Sequence, residues 1–167
     1  MKRHAGLFFI TIIVICLEVL GIQWGIPKDD YRRFYYKDGN VPVDVDSITE
    51  EYVKKSWEKS RLSPEEGKIP RSVFNILRSF HPDEHNILKS ISNMNPHSKD
   101  FNPHFFEYPS FFIYFTAFLL FIASLLGIIK VTSDISFYFM NPGEMGKFFI
   151  VGRAGVVFLS ILGVILL

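Results

Sequence analysis

The chain has 167 residues; 49% of them are hydrophobic, 18 are Phe, and the formal net charge is +1. A net charge near zero provides no bulk field that favours nucleic acid, and the sequence has no nucleic-acid-binding motif. The single cysteine, Cys16, excludes a disulfide within the chain. Because the apolar residues gather in three runs, we expect an integral membrane protein in contact with a lipid bilayer.

The first apolar run, 5–26, is long enough to cross a bilayer core of about 30 Å. Lys2 and Arg3 precede it, which predicts a cytoplasmic N-terminus. No small-residue cleavage site follows it, so 1–27 is predicted to be a cytoplasmic N-terminus and a retained transmembrane helix 1. Glu18 within the run is a candidate functional acid; alternatively it faces water or pairs with a basic residue of a helix beyond this sequence.

Residues 28–108 are then predicted to form a long extracytoplasmic loop of short amphipathic helices. A capping box at Ser47-Ile48-Thr49-Glu50 predicts the first helix, and Pro70 and Pro82 can open two more. Asn95-Pro96 ends the third of them. Its apolar stripe comprises Ile87, Leu88, Ile91 and Met94. These helices either lie on the membrane surface or pack on one another.

The uncharged run 111–129 predicts transmembrane helix 2 over 109–130, returning to the cytoplasm. A cytoplasmic loop is expected over 131–147, and transmembrane helix 3 over 148–167, directed outward. Arg153, near the cytoplasmic end of this third helix, is expected to snorkel or to pair with lipid phosphate. The predicted fold class is therefore an α-helical membrane protein with three transmembrane helices. The apolar end of the sequence suggests the N-terminal part of a longer protein.

Acidic residues flank the second apolar run and the helix that precedes it. Asp83 and Glu84 follow Pro82 and fall in the first helical turn, where free N–H groups and the helix dipole stabilise an anion. Glu107 lies just before the second run, so we expect Asp83 and Glu107 to meet near its outer end. Such carboxylates can divide the work between a base and a cation site; alternatively, Pro-Asp-Glu simply starts a helix.

Histidines near these acids are further candidates. His81, His85 and His104, together with Glu107, could bind a metal cation. Their spacing is not the His-Glu-x-x-His of zinc peptidases, and ordinary exposed or interfacial histidines are the alternative.

Three segments of the chain resemble a known family. The segments are Arg78-Ser79-Phe80-His81-Pro82-Asp83-Glu84, Asn102-Pro103-His104-Phe105-Phe106-Glu107-Tyr108-Pro109-Ser110, and Gly152-Arg153. They resemble the N-terminal part of GT-C superfamily glycosyltransferases, in particular the prokaryotic branch of the dolichyl-phosphate-mannose–protein mannosyltransferase family.

The resemblance implies inverting transfer of a sugar from a polyprenyl-phosphate donor to an acceptor protein, lipid or glycan on the extracytoplasmic face. In this interpretation Asp83 is the general base and Glu84 orients Asp83 or a cation. Glu107, with His104 beside it, helps to organise a cation or phosphate site, and a divalent cation is the candidate cofactor. The stretch 28–77 is longer than in many members, and the family has further spans, so we expect the 167-residue chain to be inactive alone.

Two alternatives compete with the enzyme. One is a small non-catalytic membrane interaction protein related to such enzymes. The other is a membrane cation-binding protein built on the three histidines and Glu107.

Overall fold

The computed structural model describes residues 2–30, 76–105 and 107–166, and this part of the chain is helical, with no strand. The α-helices are α1, Lys2–Gly21; α2, Pro82–Ser92; α3, Ser110–Leu125; α4, Ile135–Met140; and α5, Pro142–Leu166. A short 3-10 helix, Pro96–Ser98, follows α2, and an isolated bridge joins Asn95 to Asp100.

Among the described residues, only α5 is long and apolar enough to cross a bilayer. The described apolar part of α1 is limited to Phe8–Gly21, and α3 has 16 residues, fewer than the predicted span 109–130. The prediction of a helical protein with a membrane-spanning segment is thus confirmed in its coarse form, whereas three spans are not supported.

Helices α1 and α5 run antiparallel. The Asp29 carboxylate, beyond the end of α1, accepts a hydrogen bond from the Gly143 N–H at 2.9 Å, at the start of α5. Three residues along α5, Gly146 packs directly on the Pro27 carbonyl. Further along, Arg153 reaches the last turn of α1. Along this contact the residue numbers decrease from 29 to 21 on the side of α1, while they increase from 143 to 153 on α5. The two segments therefore run in opposite directions.

Helices α2 and α3 pack against the first half of α5. Thr116 lies against Gly152. Leu120 and Ala123, further along α3, cluster with Phe148 and Val151, earlier in α5, so α3 also runs antiparallel to α5. A buried cluster closes the far end of this arrangement; it consists of Leu120, Ala123 and Ile129, with Leu88, Ile91, Phe148 and Val151 packed against it. We call α2, α3, α4 and the first half of α5, together with 22–30, the head.

The helix predicted to open at Pro82 is confirmed, and its first turn contains Asp83 and Glu84 as expected. The helix predicted from Ser47 lies outside the described residues, as does the Pro70 start of the next one. Residues 76–80, the described end of that second prediction, form turns and bends. Ile87 is buried and Leu88 is half-buried, in agreement with the predicted apolar stripe.

The segment 131–147, predicted as a loop, instead contains α4 and the first turns of α5. The Asp134 carboxylate accepts a hydrogen bond from the Phe137 N–H and so caps α4. Pro142 is the first residue of α5, a position that tolerates proline because its N–H would be unpaired anyway. The third apolar helix therefore begins six residues before the predicted 148.

Residues 28–108 and 131–147 were predicted to lie on opposite sides of a membrane. The hydrogen bond between Asp29 and Gly143 joins these two segments directly. A bilayer core of about 30 Å cannot separate two residues in contact. That part of the predicted topology does not fit the structure.

The close contact of α5 with residue 27 predicts a large effect of a small substitution. A Cβ on Gly146 would collide with the Pro27 carbonyl oxygen, whereas a Cβ on Gly163 would meet no atom within 4 Å. We expect Gly146→Ala to lower the free energy of unfolding by about 1–3 kcal/mol. Gly163→Ala should leave it unchanged or raise it by up to about 1 kcal/mol. Denaturant unfolding in detergent micelles measures both, and equal effects would contradict the close packing.

Candidate functional site

Arg153 lies at the middle of α5, and its guanidinium group forms a two-pronged ion pair with Glu84. Nε donates to Glu84 Oε1 at 2.7 Å and Nη2 donates to Oε2 at 3.0 Å. The two side chains are only 15% and 23% exposed. This parallel geometry is the strongest arrangement that arginine makes with a carboxylate.

The third guanidinium nitrogen binds the end of α1. Nη1 donates to the carbonyl oxygens of Gly21, Ile22 and Trp24 at 3.3, 2.9 and 2.6 Å. The last carbonyls of a helix have no partner within it and carry a partial negative charge. A cation at this place therefore satisfies them and stabilises the end of α1.

Glu84 is held in place by the start of α2. Pro82 is in the first turn of α2, and the Ser79 hydroxyl bonds to both the N–H and the carbonyl of His81, which precedes it. The carboxylate of Glu84 thus lies at the positive end of α2. Arg153 therefore joins the negative end of α1, the positive end of α2 and the middle of α5.

This position corrects the expectation that Arg153 snorkels toward lipid phosphate. The guanidinium binds Glu84 and the end of α1 instead. One signal was present in the sequence, because a charge inside an apolar helix needs a partner. The sequence around Arg153 did not indicate which acid would be that partner, because Glu84 lies 69 residues away in the chain.

Asp83, the residue next to Glu84, has a different environment. Its side chain is exposed. The pKa of Tyr108 is raised, mainly through its polar interaction with the nearby Asp83 carboxylate, and the Glu107 charge adds to the effect. The start of α2 therefore lies near Tyr108, whereas a direct meeting of Asp83 with Glu107 stays a prediction.

His104 pairs with a residue that sequence analysis did not single out. Its Nε2 lies 3.5 Å from Asp100 Oδ2, and its backbone has a left-handed φ of 51°. The Asn102 N–H, and then His104, lower the pKa of the Asp100 carboxyl. Glu107 is exposed. At the predicted joint site of His104 and Glu107, the acid in contact with the histidine is therefore Asp100.

The other two histidines differ in how far they are buried. His81 precedes α2 and is exposed, whereas His85 Nδ1 is buried without a hydrogen-bond partner among the described residues. Burial, together with the positive charges of Arg78 and Lys89, lowers the pKa of His85 from 6.5 to about 4. Within 2–30, 76–105 and 107–166, no three His, Cys, Asp or Glu side chains form a group that could hold a metal ion.

An apolar groove adjoins the ion pair between α2, α3 and α5. Its volume is about 370 Å³, including the space at its open mouth. Glu84 and Arg153 contribute its charged part. The remaining lining is Ile87, Leu88, Phe112, Thr116, Phe148, Phe149, Gly152 and Val156. The arrangement thus places a neutralised ion pair in a groove suited to hydrocarbon.

Glu18 in α1 is half-buried, and its Oε2 is buried without a hydrogen-bond partner in the described part of the chain. Its predicted pairing with a basic residue of a further helix stays a prediction.

No protein-family model, curated protein sequence or solved structure matches this chain.

Removal of one partner of the Glu84–Arg153 pair should be costly. Glu84→Gln leaves a mostly buried guanidinium without its counter-charge, and we expect the free energy of unfolding to fall by about 2–3 kcal/mol, less than the ~3–5 of a fully buried pair. The Glu84→Gln/Arg153→Gln double variant should lose at least about 1 kcal/mol less than the sum of the single variants. Denaturant unfolding in micelles provides the double-mutant cycle.

The control for this cycle is the more exposed pair of Lys147 and Glu144, 2.6 Å apart. Glu144→Gln should cost about 1 kcal/mol or less. If Glu84→Gln costs no more than Glu144→Gln, the central importance of the Arg153 pair is refuted.

The buried His85 predicts a dependence of stability on pH. The unfolded chain takes up a proton near pH 6.5, while the folded chain does so only near its lowered pKa of about 4. The unfolded state therefore binds more protons between these values, and the free energy of unfolding falls as pH decreases from 6.5 toward 4, by about 2 kcal/mol. His85→Leu should flatten this slope, and the exposed His97→Gln should preserve it. Unfolding curves at several pH values test both, and equal slopes for all three proteins would contradict the assignment.

Proposed function

We propose that this chain is the N-terminal part of an integral-membrane glycosyltransferase. It moves a sugar from a polyprenyl-phosphate donor to an acceptor protein, lipid or glycan on the extracytoplasmic face, with inversion at the sugar. One observation supports this proposal best: Asp83 and Glu84 are adjacent in sequence, but within the described part of the chain only Glu84 is neutralised by an arginine.

Asp83 has the properties of a general base. Its carboxylate is exposed to an incoming hydroxyl group and lies at the helix N-terminus, which favours the anion. The Tyr108 phenol lies near this carboxylate. A positioned carboxylate that accepts the proton of the attacking group contributes about 10²–10⁴-fold to a rate.

Glu84 and Arg153 act as positioning residues in this scheme. The bidentate ion pair fixes the first turn of α2 against α5, and so fixes the backbone that carries Asp83. The apolar groove beside the pair is suited to the hydrocarbon of a lipid-linked substrate. Neutralisation of the leaving phosphate falls to groups beyond this ion pair, such as a divalent cation or basic residues.

The test compares Asp83→Asn with Glu84→Gln and the control Asp30→Asn in the full gene product. Transfer of radiolabelled mannose from polyprenyl phosphate is measured in membranes, followed by other sugars if mannose is not used. We expect Asp83→Asn to reduce kcat by at least about 100-fold without changing the melting temperature. Glu84→Gln should lower both activity and melting temperature, and Asp30→Asn should change neither.

Full activity of a folded Asp83→Asn protein would refute the role of Asp83. Absence of transfer from every polyprenyl-phosphate sugar would instead favour the alternative, a non-catalytic membrane interaction protein. The large exposed apolar surface of α1 and α3 is the observation that favours this alternative.

A further inference from the structure

The most informative unexplained feature is that residues on both flanks of α3 contact the same part of the protein. Before α3, the Tyr108 phenol lies near Asp83, the neighbour of the Glu84 that binds Arg153. Arg153 also binds the Trp24 carbonyl, just beyond α1. Beyond the end of α3, the Gly143 N–H donates to the Asp29 carboxylate at 2.9 Å. Both flanks of α3 are thus joined to the segment that follows α1.

The charges of α2 exclude the head from the hydrocarbon. Helix α2 packs along α3 through Leu88 and Ile91, and it exposes Asp83 and Lys89. Each such charge costs about 2.5–3.5 kcal/mol at the centre of a bilayer. Because α3 lies beside α2, immersing the full length of α3 in the hydrocarbon would also immerse the charges of α2.

Besides the apolar side chains that α3 exposes, a second apolar surface runs along α1 and the second half of α5. Large exposed apolar side chains cover this pair; they include Phe8, Phe9, Leu17 and Leu20 of α1, and Phe158 and Ile165 of α5. The apolar part of α1, Phe8–Gly21, extends about 21 Å, roughly two thirds of the thickness of the hydrocarbon core. The first half of α5, from Pro142 to Arg153, extends about 16 Å beyond this pair.

Polar and interfacial residues mark the two ends of that surface. Lys2 and Arg3 precede the apolar part of α1. At the other end lie Arg153 and the exposed Trp24, whose carbonyl binds that guanidinium. Basic residues favour the cytoplasmic boundary, and tryptophan favours the interface.

We infer that α3 does not cross the bilayer. Helix α1 and the second half of α5 form an antiparallel pair embedded in lipid. The remaining described segments all lie on one membrane surface, bounded at the level of Trp24 and Arg153; these segments are 22–30, 76–105 and 107–141. The occupant of the apolar surface on α1 and α5 is lipid hydrocarbon. This inference does not depend on the proposed enzyme activity.

Cysteine labelling in sealed membrane vesicles tests the inference on the full chain. In a Cys16→Ser background, single cysteines replace the exposed residues Lys28, Asn93 and Ser133, and His4 serves as the opposite-side control. A membrane-impermeant maleimide should label positions 28, 93 and 133 in the same vesicle orientation. Position 4 should react only after permeabilisation or in the inverted vesicles. Labelling of position 133 together with 4 rather than with 28 would overturn the inference.

A cross-link provides a measurement that does not require access from solvent. Asp29→Cys combined with Gly143→Cys should be joined by a short bifunctional maleimide in native membranes, because the wild-type side chain and backbone are in contact. His4→Cys combined with Gly143→Cys is the matched control and should remain unlinked. If the 29–143 pair fails to cross-link in folded protein, or if the control cross-links equally, the inference that residues 29 and 143 lie on the same side of the membrane is overturned.

Discussion

The described structure depends on one guanidinium group that satisfies two helix ends of opposite polarity. The end of α1 presents unpaired carbonyls and the start of α2 presents a carboxylate, and Arg153 binds both. Each partner alone would be a partly buried polar group with an unfavourable desolvation energy. Together they form a network in which charge, hydrogen bonds and helix dipoles all favour the same arrangement. The hydrophobic cluster around Leu120 packs α2, α3 and α5 against one another in the same arrangement.

The same network explains how two adjacent acids come to have different chemistry. Neighbouring residues in a first helical turn point in different directions, so Glu84 faces α5 while Asp83 faces solvent and Tyr108. A buried and neutralised carboxylate is a structural group, whereas an exposed one can exchange protons with a substrate. His85, one residue further on, is buried in its neutral form, so it does not compete for Glu84 as a cation.

Local signals in the sequence predicted the local structure. Pro82 followed by two acids predicted the start of α2, and the uncharged run predicted the helix α3, because both signals act within one or two turns. The partner of Arg153, the early start of α5 at Pro142 and the contact of Asp29 with Gly143 were not predicted. Each of these depends on residues far apart in the chain. Hydropathy measures how apolar a segment is, but the direction in which α3 runs is determined by packing against α2 and α5.

The long sequence separation of the Arg153 contacts has a consequence for biosynthesis. Arg153 binds carbonyls up to 132 residues earlier and a carboxylate 69 residues earlier. At about 5–20 residues per second, the ribosome needs roughly 3–14 s to proceed from Glu84 to Arg153. During that interval the nascent chain contains a finished α1 whose carbonyls lack their cation, and an α2 whose Glu84 lacks its counter-ion. The head therefore assembles only after the ribosome has passed Arg153.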